Sequence, residues 1–563
     1  MATLSERKVL PLVLPVTNWL PSLSGATIRM DLVAGLALAG LLVPEGLAYA
    51  GIAGVPPEVG LYSLTAGLFV YALFGSSRQL AVSCTSGSAA MLAAIVAPLA
   101  SGDATRYVAL ASATAIAAGL LFLLAGAFRL GFVSEFISKP VLKGFVFGIA
   151  LTIMVKQAPK LLGIEKGSGN ILNQLWHVVK SLPETNVPTF IVGGSAIAVL
   201  FVLGSLVPRV PSALVVFVAG ILVVQMFGLD RHGVEVVGNV PAGLPHLSLP
   251  SVSRDDFVDL LTSAIGIVLI VYAEALAAAR TFASKYKYDI SPNQELVAIG
   301  MSNLASGLTQ GIIVGGGMSG TAANASGGAR TPISVMTTAM VSLLTLLFLM
   351  PLFKSLPEAV LGAIVIHAIW HLADVKEMRR LASLKTGSIW AALTALAGVL
   401  AFGILKGLIL AMCLTLITLL KKVSAPEDSV LGKLPGTNIF VDKKFYPEAE
   451  PVPGLLIFRP NGLLFFANAN RVRSHLLSLL KETEGPVHDV IISLESSPEI
   501  DATSLDMLDQ LRSELSERGI NLKFARVSEP VRDLFRRSGF IDRVGEANIY
   551  YGVHRAVAAL GHA

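Results

Sequence analysis

Two short polar patches lie inside the most apolar stretches of this chain, and they match. Ser319-Gly320-Thr321-Ala322-Ala323, which follows Gly315-Gly316-Gly317-Met318, repeats Ser86-Gly87-Ser88-Ala89-Ala90. Each patch is preceded by a lone glutamate in an apolar run: Glu45 in the run opened by Asp31, Glu274 in the run opened by Asp259. Two matches in nearly one register argue for an internal duplication.

The surroundings fix what such patches can be. The 563 residues are 53% hydrophobic and only 14% charged, with a mean hydropathy of +0.70. A soluble chain carries roughly 25% charged residues, so this is a polytopic α-helical membrane protein. Uncharged runs at 107–127, 188–208 and 388–405 match or approach the ~20 residues of a membrane-crossing helix. Spans are expected at 31–53, 58–75, 83–100, 106–127, 132–155, 188–207 and 211–228. A second set is expected at 257–283, 293–313, 317–331, 333–352, 357–373, 387–405 and 406–422. Seven spans per half is an odd number, which forces the two repeats into opposite orientations. Repeat one is expected at about 31–228 and repeat two at about 257–422, within a transport domain at 31–422.

Basic residues support the count. Arg78, Lys139, Lys285, Arg380 and Lys421 fall in or beside loops that an N-terminus-inside topology places in the cytoplasm. The loop 156–187 breaks the pattern, with Lys156, Lys160, Lys166 and Lys180 on the expected outer face. Residues 1–30 read as a cytoplasmic arm, with no signal peptide expected. The net charge of +5 reports orientation and does not call for nucleic acid. Cys84 and Cys413 lie in apolar segments, with neither a disulfide nor a zinc pattern. His367 and His371 are four apart but have no third ligand in view. No Walker loop or nucleophile–base pair appears. No enzyme activity, cofactor or metal is expected.

After Lys422 the composition changes. Residues 423–452 are rich in Pro, Gly and charge and read as a linker. Residues 453–563 read as a soluble α/β domain. Its expected strands are Gly454–Phe458 and Gly462–Phe466, paired around Pro460-Asn461-Gly462, then Val490–Leu494 and Asn521–Ala525. Helices are expected at 469–482, 502–518 with Asp501 as its cap, 528–538 and 552–560.

At membrane depth, non-helical backbone must be satisfied by protein or face a watery cavity. Gly316-Gly317 breaks a helix, so a new one begins near Ser319, and the twin patch does the same near Ser86. Two half-helix N-termini facing each other form an anion site from free N–H groups and dipole ends, without an obligatory lysine or arginine. The candidate substrate residues are Ser83, Thr85, Ser86, Gly87 and Ser88, with Gly317, Met318, Ser319, Gly320 and Thr321. Either patch alone reads better as close helix packing through small residues; the pairing, with a buried glutamate before each, is what favours a site. A carboxylate in hydrocarbon costs about 2.5–3.5 kcal/mol on insertion scales, so Glu274 and Glu45 are candidates for carrying a coupling proton.

The residues resemble the sulfate permease (SulP) family of anion transporters over nearly the whole chain. Asp31-Leu32-Val33-Ala34-Gly35-Leu36, Val43-Pro44-Glu45-Gly46-Leu47-Ala48-Tyr49-Ala50, Gly75-Ser76-Ser77-Arg78-Gln79, Asn293-Gln294-Glu295-Leu296 and Ser319-Gly320-Thr321-Ala322-Ala323-Asn324 carry the likeness. The resemblance implies two inverted seven-helix repeats arranged as core and gate domains. It implies half-helices at the third and tenth spans, a homodimer, and a C-terminal cytoplasmic STAS domain that binds a protein partner. Asp501-Ala502-Thr503-Ser504 is similar to the phosphorylation motif of anti-sigma-factor antagonists, with Thr503 at the acceptor position. A departure is Gly320, where many members carry Arg. Glu274-Ala275-Leu276 with Arg280-Thr281-Phe282 resembles the proton-coupled sulfate transporters of plants. The expectation is a proton-coupled sulfate symporter of the bacterial inner membrane working by alternating access. Bicarbonate or C4-dicarboxylate uptake with Na+ is the alternative, and a membrane sensor acting through its STAS domain is a third reading.

Overall fold

The computed structural model describes residues 15–132, 139–167, 169–207, 211–370, 372–384, 388–424, 428–483 and 485–561. His371 lies outside them, as does the first half of the expected N-terminal arm. The chain divides into two compact units, Met1–Thr415 and Leu416–Ala563.

Helices occupy all fourteen expected spans. The first seven are α1 (Gly25–Ala53), α2 (Pro57–Phe74), α3 (Ser86–Ala100), α4 (Ala104–Ala127), α5 (Lys139–Leu162), α6 (Val187–Leu206) and α7 (Ser212–Phe227). The rest are α8 (Arg254–Tyr286), α9 (Pro292–Leu308), α10 (Met318–Ser326), α11 (Ile333–Leu344), α12 (Glu358–Trp370), α13 (Ser388–Phe402) and α14 (Ile404–Ser424). The protein is a multi-pass membrane protein. The boundaries have local causes. Ser24 caps α1, accepting from the Thr27 N–H at 3.1 Å, so the helix starts inside the stretch expected as an arm. Gly54, at φ +78, ends it in the left-handed region that glycine adopts without strain. Ser291 caps α9, with Pro292 in its first turn, where the missing N–H costs nothing.

Packing sorts the helices into two groups: α1–α4 with α8–α11, and α5–α7 with α12 and α13. Small residues hold the close crossings, as they do in membranes, where apolar burial alone does not drive helices together. A Cβ on Gly60 would stand 2.0 Å from the Gly46 carbonyl oxygen, joining α1 to α2. One on Gly144 would stand 1.9 Å from that of Ala392, joining α5 to α13.

The C-terminal unit is a six-stranded sheet in the order β4-β3-β5-β6-β7-β8. Its strands are β3 (Asp428–Lys433), β4 (Phe440–Asp442), β5 (Leu455–Pro460), β6 (Asp489–Ser493), β7 (Asn521–Ala525) and β8 (Ile549–Tyr550). The run β5 to β8 is parallel; β3 pairs antiparallel with both β4 and β5. Helices α15 (Ala469–Glu482), α16 (Ala502–Glu517), α17 (Glu529–Arg537), α18 (Phe540–Val544) and α19 (Val553–Ala559) flank it. Apolar clusters lie on both faces of the sheet.

Two expectations are corrected here. Residues 423–452 are not a plain linker, because β3 and β4 are strands of the sheet; their Pro, Gly and charge content hid the short apolar pair Val430-Leu431. The hairpin around Pro460-Asn461-Gly462 does not form. Asn468 takes 462–466 out of strand conformation, accepting from the Phe465 N–H at 2.9 Å and donating to the Leu463 carbonyl at 2.6 Å. The antiparallel partner of β5 is β3.

Candidate functional site

Two short strands meet within the transport unit. β1 (Val82–Ser83) pairs antiparallel with β2 (Gly315–Gly316), placing Val82 opposite Gly316 and Ser83 opposite Gly315. Neighbouring polar side chains fix this ribbon. Asn303 accepts from the Val314 N–H at 2.9 Å and donates to its carbonyl at 2.8 Å. Asn324 donates to the Gln79 carbonyl at 3.0 Å. Glycine is needed in β2. A Cβ on Gly315 would come within 2.5 Å of Val271, and one on Gly316 within 2.9 Å of Ala275. Both neighbours belong to α8 and bracket Glu274 in sequence, so the bare backbone lets α8 lie against the ribbon and delivers Glu274 to the site.

Each strand runs directly into a half-length helix. Thr85 caps α3 in a reciprocal box: its Oγ1 accepts from the Ser88 N–H, and Ser88 Oγ accepts from the Thr85 N–H, both at 3.1 Å. α10 starts from Gly317, which has no side chain to cap it. The N–H groups of its first turn therefore have no intrahelical acceptor. The two starts adjoin, since a Cβ on Gly317 would lie 3.4 Å from Cγ2 of Thr85. Two positive dipole ends are thus brought together.

The expected hydroxyls divide by use. Those of Thr85 and Ser88 serve the cap. Thr321 donates to the Gly317 carbonyl at 2.6 Å and accepts from the Ala81 N–H at 3.3 Å. Ser83 donates to the Cys84 carbonyl at 3.3 Å. The hydroxyls of Ser86 and Ser319 make no hydrogen bond to another described residue. Met318 is exposed, whereas Gly87 and Gly320 are buried. A Cβ on Gly320 would meet Leu42 at 3.2 Å and Ala81 at 3.5 Å, so this position faces α1 and β1.

The two glutamates part company. A Cβ on Gly87 would lie 3.7 Å from Oε1 and 4.0 Å from Oε2 of Glu274, placing that carboxylate over the first turn of α3. Glu45 is buried within α1, with Tyr49 one turn further along the same helix. In the separate C-terminal unit, Thr503 is exposed in the first turn of α16, beside the Asp501 cap.

Several polar residues that brace the site were not singled out from sequence as functional. Asp31 Oδ1 accepts from the Arg330 and Thr331 N–H groups at 2.6 and 3.2 Å, and Oδ2 accepts from Thr331 Oγ1 at 2.6 Å. Glu295 accepts from Tyr71 and from the loop at Ser76 and Ser77. The available signal was a polar residue isolated among apolar ones, which says that a partner exists but not which.

Comparison with known proteins agrees with this architecture. The model of the sulfate permease family matches residues 28–395, and that of the STAS domain matches 446–556. A Mycobacterium tuberculosis protein named "Probable sulfate transporter Rv1739c" is 37% identical over 94% of this chain and 95% of its own. High affinity sulfate transporter 2 of Stylosanthes hamata is 30% identical over 98% of this chain and 86% of its own. Among solved structures, the murine Solute Carrier 26 family member A9 anion transporter in the inward-facing state superposes with a TM-score of 0.90. It covers 100% of this chain and 97% of its own at 21% identity, and so shares the fold.

Proposed function

The chain belongs to the sulfate permease family of anion transporters, and from that premise we propose that it carries sulfate together with a proton by alternating access. The anion sits between the first turns of α3 and α10. It is held by the backbone N–H groups of Ser86, Gly87, Met318 and Ser319 and by the hydroxyls of Ser86 and Ser319. The group α1–α4 with α8–α11 is the core that carries it, rocking against the gate formed by the remaining helices. The two seven-helix halves are inverted repeats. The protein sits as a homodimer in a bacterial inner membrane, with both termini and the STAS domain in the cytoplasm.

The position of Glu274 carries this reading. An ionised carboxylate over the first turn of α3 competes with an anion for the same N–H groups and repels it. A proton on Glu274 removes both effects, so proton and dianion load together. Release of the proton on the other side expels the anion. Glu45, buried within α1, is the second candidate.

Radiolabelled sulfate uptake into proteoliposomes tests this, under an inward proton gradient and separately under an inward sodium gradient, for wild type and Glu274→Gln. Proton-driven accumulation that collapses in the variant is expected. Uptake driven only by sodium removes the coupling role from Glu274. Absence of sulfate uptake under either gradient overturns the substrate and directs the assay to bicarbonate and succinate, which a site without an arginine at position 320 would also suit.

A further inference from the structure

Two adjoining cavities of ≈ 200 and ≈ 240 Å³ lie between the core and gate groups, sharing Thr152, Lys156 and Gln174 as lining. The first also takes in Lys160, Lys166 and Ala90. Ala90 belongs to α3, one helical turn beyond Ser86, so its rise is ~6 Å from the start of that helix. The first cavity therefore reaches to within about one helical turn of the anion site, and the second touches α3 one turn further on, at Ala94. They extend along α3 toward the Ala53 end of α1, the side that an N-terminus-inside topology makes the outer one.

Their charge is one-sided. Among the described residues no aspartate or glutamate lines either cavity. Lys160 is held by Glu358 of α12, with Nζ to Oε2 at 2.6 Å. Its Nζ also reaches α1, since a Cβ on Gly51 would lie 3.4 Å away. Lys156 lines both cavities and makes no ion pair among the described residues. These lysines belong to the stretch that breaks the charge pattern of the other loops, and the cavities give that exception a physical role.

We propose that this space is an antechamber for the anion, in which Lys156 gathers a small divalent oxyanion before it reaches the N-terminus of α3. The inference rests on the transport reading above and adds an access step to it. A lysine in a low-dielectric cleft focuses the field and raises local anion concentration. A lysine charge without a coordinating cage accelerates capture without binding tightly enough to trap the ion.

Sulfate uptake by full-length protein in proteoliposomes, at low and high ionic strength, tests this for wild type, Lys156→Gln and Lys156→Arg. The expected result is a KM raised about three- to tenfold in Lys156→Gln at low salt, kcat within about twofold, a flattened salt dependence, and recovery in Lys156→Arg. Lys156→Cys, made with the exposed Cys413 replaced by Ser, separates charge from packing. Modification by a membrane-impermeant ammonium thiosulfonate is expected to lower KM again, and by its sulfonate counterpart to raise it. Normal wild-type uptake with an unchanged KM in Lys156→Gln, or indifference of the cysteine variant to reagent charge, overturns the antechamber alone. No uptake of sulfate by wild type overturns the sulfate reading, and the antechamber for a divalent oxyanion with it.

Discussion

Tyr71 donates to Oε2 of Glu295 at 2.8 Å, joining residues 224 apart in the chain. The other carboxylate oxygen accepts from the Ser76 N–H at 2.9 Å, Ser76 Oγ at 2.7 Å and the Ser77 N–H at 3.2 Å. This buried group ties the end of α2 to the first turn of α9, and so holds the chain that leads into β1. Glu295→Ala strands all four donors, at about 1–3 kcal/mol for a buried unmet group. Thermal unfolding in detergent is expected to begin several degrees lower. Tyr71→Phe, which removes one donor, is expected to cost less than half as much.

The helix crossings make a steric prediction. Alanine at Gly60 or Gly144 puts a methyl group within about van der Waals overlap of a backbone carbonyl that cannot move aside, at 2.0 and 1.9 Å. Overpacking typically costs about 1–3 kcal/mol and more when backbone must shift. Both variants are expected to give little monodisperse protein on size-exclusion chromatography. Gly320→Ala meets the end of a flexible Leu42 side chain at 3.2 Å and is expected to purify like wild type.

How much of this was readable beforehand follows from range. The spans were legible because hydropathy is local, and the half-helices because Gly315-Gly316-Gly317 and Ser86-Gly87-Ser88 interrupt it. Which hydroxyls remain available was not legible. Thr85 and Ser88 look like ligands in sequence but satisfy each other, and Thr321 turns back to Gly317. The meeting of Glu274 with Gly87 depends on α8 lying against β2, a contact between distant segments. In the soluble unit, β3 is hidden in the sequence because its partner β5 begins beyond a stretch of prolines and charges, and the hairpin joining it to β4 is only three residue pairs long.

The cap of α16 predicts a pH effect. Burial raises the Asp501 carboxyl, but hydrogen bonds from Ser504 Oγ, the Ser504 N–H and the Phe466 N–H outweigh it, leaving it below the ordinary carboxylate range. A carboxyl depressed in the folded state contributes stability at pH above its unfolded value of ~3.9. That contribution is lost as pH falls through the lower folded value. Amide exchange at Ser504 in the full chain is therefore expected to be slow at pH 7. It should accelerate several-fold in Asp501→Ala, in keeping with about 1 kcal/mol for a lost N-cap. The gap between wild type and variant, corrected for intrinsic exchange, should close below pH 3.

Gly87→Ala distinguishes a binding site from a packing contact. The new methyl would have only the Glu274 carboxylate within van der Waals range besides Thr85, at 3.7 and 3.9 Å, so the fold has room for it and alanine suits a helix interior. If small residues at the start of α3 serve only packing, this variant should bind and transport as wild type does. If an anion rests on the first-turn N–H groups, the methyl covers them and presses on the carboxylate that must exchange its proton. Loss of one charge-assisted hydrogen bond is about 1.5–3 kcal/mol. The variant is accordingly expected to keep its thermal transition while the sulfate KM rises at least tenfold. Equal KM values would return the patch to helix packing.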